Sequence, residues 1–140
     1  MDFAKRTFEV KLERTITAAP AEVFAAWLDP KAPGNPWNNG NKTLIDARVD
    51  GLFYILMNET PHYGRFTKLD TPRLLQHTWM SPYTEGHEST VTVTFTAKGN
   101  DTLMTLHHTG LPDTPRGHAH LDGWTYFMNL FPTKVAEAKR

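Results

Sequence analysis

The side chains of this chain that could do chemistry are few: seven histidines, two serines and no cysteine. His118 and His120 stand two apart in a helix-like stretch, about 200° around its axis, and cannot share an ion. His107 and His108 are adjacent in a strand-like stretch and so point to opposite faces. There is no His-x-x-x-His pair. Zinc takes three or four convergent ligands, and local spacing supplies none, so no metal site is expected. Ser81 and Ser89 lie outside any Gly-x-Ser-x-Gly elbow, and neither Gly-x-Gly-x-x-Gly nor a phosphate-binding loop occurs. No cofactor is expected.

Two constellations remain. Asp46 and Arg48 are two apart in a strand-like run and would share a face, either as a pair fixing strand register or the rim, or as anchors for a polar ligand head. The larger set is apolar with a few polar members: His77 and Trp79, then Met104, Leu106 and His108, then His120, Trp124, Phe127, Met128 and Phe131, with Tyr54 and Trp37 at an edge. Aromatic and methionine side chains with sparse polar groups line small-molecule pockets. They also build ordinary cores. An imidazole on an apolar face is either satisfied by a neighbour or left for a ligand.

These residues must be positioned by a run of strands and one long helix. Pro115 to Ala138 gathers Gly117, His120, Leu121, Trp124, Phe127, Met128, Phe131, Val135 and Ala138 on one side of a helical wheel. Thr114 is placed to cap it with Pro115 at its first position, and Pro132 predicts a kink or break. At the other end, Thr7 to Thr17 alternates as a strand with one wet face, and Pro20 opens a short helix burying Val23, Phe24, Trp27 and Leu28. Asn35 to Gly40 reads as a loop around one exposed indole, Trp37. Leu44 to Val49 and Leu52 to Asn58 read as strands joined by a two-residue turn at Asp50-Gly51. Further strands are expected at Tyr63 to Lys68, Leu74 to Met80, Thr90 to Thr96 and Thr102 to Thr109. A meander of six or seven strands curls by its own twist, and one long apolar-faced helix fills its concavity.

Composition bounds the partners. Residues 1–140 fit one domain, with no repeat or linker. Basic and acidic residues balance at fifteen each, leaving no net field for nucleic acid or acidic membranes. The opening MDFAKRTFEV has no apolar leader core, and no run approaches a membrane span, so a cytoplasmic location is expected. The Asn-x-Thr triplets at Asn41, Asn58 and Asn100 then carry no meaning as glycosylation sites. A homodimer is open, symmetric dimers being the commonest oligomers.

The chain resembles a family at Ala19-Pro20-Ala21-Glu22-Val23-Phe24 with Trp27 and Asp29-Pro30, then Trp37, Asp46-x-Arg48 with Gly51, Gly64, Thr78-Trp79, Ser89-x-Val91, Thr102 to His108, Gly110-Leu111 and Gly123-Trp124. In that order these segments are similar to START-like (SRPBCC) domains of the AHSA type, related to the C-terminal domain of heat-shock-chaperone ATPase activators. Asp50 departs from the glycine common there. The resemblance implies an α+β helix-grip fold: a curved antiparallel sheet around the C-terminal helix, short helices between the first two strands, and a cavity beneath the long helix. It implies an apolar or amphipathic small molecule as partner. The alternatives are a cyclase, dehydratase or hydrolase using a His or Asp in that cavity, or a chaperone-contacting module. A single domain with no net charge and no second chaperone-binding domain weighs against the last.

Overall fold

The computed structural model describes residues 7–139. The stretch 1–6, read above as lacking a leader core, lies outside them. Strand β1 (Phe8–Ile16) is followed by helix α1 (Pro20–Leu28) and a 3₁₀ turn at Pro36–Asn38. Strands β2 (Lys42–Ile45), β3 (Leu52–Met57), β4 (Thr60–Asp70), β5 (Leu74–Trp79), β6 (Ser89–Lys98) and β7 (Asp101–Leu111) come next, and helix α2 (Pro115–Ala138) ends the chain. The seven strands form one antiparallel sheet in the order β1-β7-β6-β5-β4-β3-β2. The sheet is curved around α2, the helix-grip arrangement.

Alternation sets which face is inward. In β6, Val91, Val93 and Phe95 are buried while Thr90, Thr92 and Thr94 are half-buried on the other side. Thr102, Met104, Leu106 and His108 of β7 point the same way. Against this face α2 lays Gly117, His120, Trp124, Phe127, Met128, Phe131 and Val135. Leu121 and Ala138, at the margins of the predicted stripe, are exposed. Thr114 Oγ1 accepts from the Gly117 amide and Pro115 occupies the first turn, as the capping pattern predicted. No helix among the described residues is long and apolar enough to cross a membrane.

Two local expectations are corrected. Pro132 does not break α2. The buried Phe131 and Val135 hold the helix on either side of it, and Gly34, at φ 97°, approaches so closely that a Cβ there would meet Phe131 Cα at 2.9 Å. Asp50-Gly51 is not a two-residue hairpin turn, because β2 ends at Ile45, paired with Phe53, and residues 46–51 form a longer loop. There Asp50 takes a left-handed φ of 68° and its amide bonds to the Phe66 carbonyl. The tight turn is instead Asn58-Glu59, with φ 50° and 65°, closing β3 on β4 between Met57 and Thr60. Two successive left-handed residues are what a type I′ turn requires.

Candidate binding cleft

The β3–β4 hairpin and the N-terminal half of α2 bound a cleft of about 590 Å³. Met57, Asn58, Thr60 and His62 form its sheet side, and Ala119, His120, Gly123, Trp124, Tyr126 and Phe127 its helix side. Trp79 of β5 lies between them, and Asn39 and Tyr83 complete the lining. Small residues open the space. A Cβ added at Gly123 would meet no atom within 4 Å. The floor is aromatic: Trp79 and Trp124 have ring centroids 5.2 Å apart, and Phe127 stands 6.2 Å from Trp124. Among the described residues, no lysine, arginine, aspartate or glutamate lines it.

Of the residues singled out from sequence, Trp79, His120, Trp124 and Phe127 come together in this cleft. Met104, Leu106, Met128 and Phe131 are wholly buried in the core behind it. His77 and His108 are inward but also lie behind the wall. Trp37 is not an exposed indole: it is 2% exposed, edge-on to Phe53 at 4.9 Å. Its loop is folded inward by Asn35, whose Nδ2 donates to the Ala26 and Asp29 carbonyls. Tyr54 is corrected too, since Phe53 and Ile55 take the inward face of β3 and leave Tyr54 half-buried on the outer one. Arg48 is off the strand, its side chain 79% exposed and paired with Asp46 at 2.8 Å. The rim reading of that pair fits the geometry; the ligand-anchor reading does not.

The His108 imidazole is fully committed, with a partner on each ring nitrogen. Trp124 Nε1 can only donate, and it lies 2.8 Å from His108 Nδ1, so that nitrogen accepts and the proton sits on Nε2. Nε2 then donates to Ser89 Oγ at 2.6 Å, and Ser89 passes its own proton to the Trp79 carbonyl at 2.8 Å. The chain of bonds runs one way, so Ser89 is not poised to give its proton to His108 as a nucleophile would. Burial first, then the nearby His120, His77 and His107, holds His108 well below the usual histidine range. Burial likewise lowers His77 to about 4, against an opposing bond from its Nδ1 to the Thr78 carbonyl.

His62, which strand reasoning missed, lies over Trp79 with ring centroids 5.2 Å apart. Its Nδ1 is 3.0 Å from the Thr60 carbonyl, and His120 Nδ1 is 3.0 Å from the Gly117 carbonyl. Burial lowers both pKa values, with these carbonyls opposing. No group of three or more metal-ligating side chains occurs among the described residues.

The sequence profile of the Activator of Hsp90 ATPase homolog 1-like proteins matches residues 17–134. The chain belongs to that family. No curated protein matches it significantly in sequence. Solved structures share its architecture. A Chromobacterium violaceum protein is 23% identical over 91% of this chain and 96% of its own, with a TM-score of 0.73. An Hsp90 activator from Plasmodium falciparum is 22% identical over 84% and 87%, at 0.68. The Aha1 dimer from Colwellia psychrerythraea is 17% identical over 87% and 91%, at 0.71. Such identities show a common fold, and function must be argued from the site.

Proposed function

We propose that this single-domain protein binds a small apolar or amphipathic molecule in the cleft between the sheet and α2. The observation that carries the reading is the cleft itself, with an aromatic floor, no acidic or basic lining residue among those described, and room kept open by Gly123. Its volume falls within the range typical of ligand pockets. Trp79, Trp124 and Phe127 supply the apolar walls, and His120 a polar anchor. The reading includes a cytoplasmic location, consistent with the family.

An enzyme would need a titratable group against the substrate. His62 and His120 are the imidazoles placed for that, while no Asp lines the cleft among the described residues. A protein-contacting role is the second reading. It is supported by the names of the Plasmodium and Colwellia structures and by the exposed apolar side chains Leu44, Leu52 and Tyr63 at the β2–β4 end of the sheet.

Filling the cleft without disturbing the core tests the proposal. Nile red, a neutral dye, should bind the wild-type chain with a blue-shifted emission at one site. Gly123→Leu should abolish that signal while the protein keeps its circular dichroism spectrum and melts no lower than the wild type. Equal dye binding by both proteins, or by neither, would count against the cleft.

A further inference from the structure

The two histidines of the cleft specify the polar end of its occupant. In each ring, Nδ1 faces a backbone carbonyl, Thr60 for His62 and Gly117 for His120. A carbonyl oxygen can only accept, so Nδ1 must carry the proton. Both rings belong to the cleft lining; the Ile55 carbonyl also lies near the His62 ring and the Arg116 carbonyl near the His120 ring, but the hydrogen bonds that meet full geometry run through Nδ1 and leave Nε2 without one among the described residues. In the neutral tautomer that nitrogen is an acceptor. Burial favours the neutral form of both rings, and a charge on either one would lie in the field of the other.

We infer that the cleft selects a neutral aromatic molecule whose polar end donates hydrogen bonds, a phenol or comparable hydroxylated ring, received by Nε2 of His62 and His120. Carboxylates and phosphates are disfavoured, because they would present lone pairs to lone pairs with no lysine or arginine in the lining to compensate. A purely apolar occupant is also disfavoured, since covering the two acceptors would take them from water without a partner. Asn39, Asn58, Thr60 and Tyr83 can donate or accept at the margin, and the Trp79 indole N–H, though unpartnered, is buried away from the open space, so discrimination falls to the imidazoles.

The inference rests on the cleft being a binding site, and a matched probe set separates the two claims. Calorimetric titration at pH 8 of the wild-type chain, His62→Leu, His120→Leu and His62→Gln would use 2-naphthol, 2-methoxynaphthalene and 2-naphthoate. The expected result is 2-naphthol binding about tenfold or more tighter than its methyl ether. Naphthoate should bind weakest. Either leucine variant should narrow the gap between naphthol and its ether, and His62→Gln, which restores an acceptor, should recover part of it. Because His120 packs against His108 with ring centroids 5.1 Å apart, a second readout avoids substitution. The imidazole ¹⁵N resonances of wild-type His62 and His120 should shift at Nε2 with naphthol and not with the ether. Binding of all three probes with no preference, or with naphthoate tightest, would overturn the donor inference and leave the cleft standing. Binding of none of them would sink both.

Discussion

His108 and His120 are neighbours in space, their rings nearly perpendicular, yet they belong to two different kinds of site. Both ring nitrogens of His108 have a partner: Trp124 gives a proton, Ser89 takes one, and the Trp79 carbonyl ends the chain. One turn away from Trp124 on α2, His120 spends one nitrogen on a backbone carbonyl and leaves the other over open space. On the sheet, His77 and His62 each spend Nδ1 on a backbone carbonyl and differ in enclosure: the first is walled in by Trp37, Phe53 and Phe66, the second lines the cleft. Residue type is identical in the two regions; a ring enclosed by the core, as at His77 and His108, or one that lines the cleft, as at His62 and His120, separates structure from recognition. The aromatic floor inherits its rigidity from the satisfied set. The same bond that fixes the His108 tautomer also holds the Trp124 indole in place.

The comparison can be broken most forcefully with acid. His77 titrates near 4 in the folded protein and near 6.5 unfolded, so between those values the unfolded chain binds more protons. Its contribution is fully present above about pH 6.5 and is lost as the pH falls through 4, a loss of about 3 kcal/mol. His108 acts in the same direction. Urea midpoints across that window should fall with pH, and His77→Gln should flatten the slope; an unchanged slope would contradict the burial argument.

Next comes His108→Leu, expected to cost about 2 kcal/mol by stranding the Trp124 N–H. In a Trp124→Phe background the same change should cost less, and the coupling energy from the double-mutant cycle measures the bond. His62→Leu should change stability by under about 1 kcal/mol, because the Thr60 carbonyl that loses its partner is only partly buried. A large loss on thermal unfolding would place His62 with the structural histidines. Gly123→Ala sharpens the comparison gently, raising stability by about 0.5–1 kcal/mol through helix propensity alone, since a Cβ there meets nothing.

Period-two and helical periodicities made most of the architecture legible. The Val91-Val93-Phe95 alternation, the α2 stripe and its Thr114-Pro115 start all stand where their patterns placed them. His62 was lost because its strand was read from Tyr63. Asn58-Glu59 lacks the glycine that advertises a type I′ turn, so the strand's first residues passed as loop. With the turn in place, His62, Gly64 and Phe66 fall on one inward-facing row. Trp37 was misjudged because its burial depends on Asn35 reaching back to α1 and the turn beyond it, bonds no local pattern encodes. Core and cleft could not be told apart by residue type either. Met104 and Trp79 look alike as candidates, and small residues such as Ala119 and Gly123 on the facing helix leave space beside Trp79 that no residue-type rule announces.

The central claim is tested most directly by native mass spectrometry of gently purified wild-type protein and Gly123→Leu, followed by denaturing release of any bound compound. The account predicts one neutral, hydroxyl-bearing aromatic molecule per wild-type chain, carried through purification or taken up from a mixed panel, and none on Gly123→Leu. A wild-type mass that stays unshifted against phenols, sterols and fatty acids, or an adduct retained equally by Gly123→Leu, would contradict it.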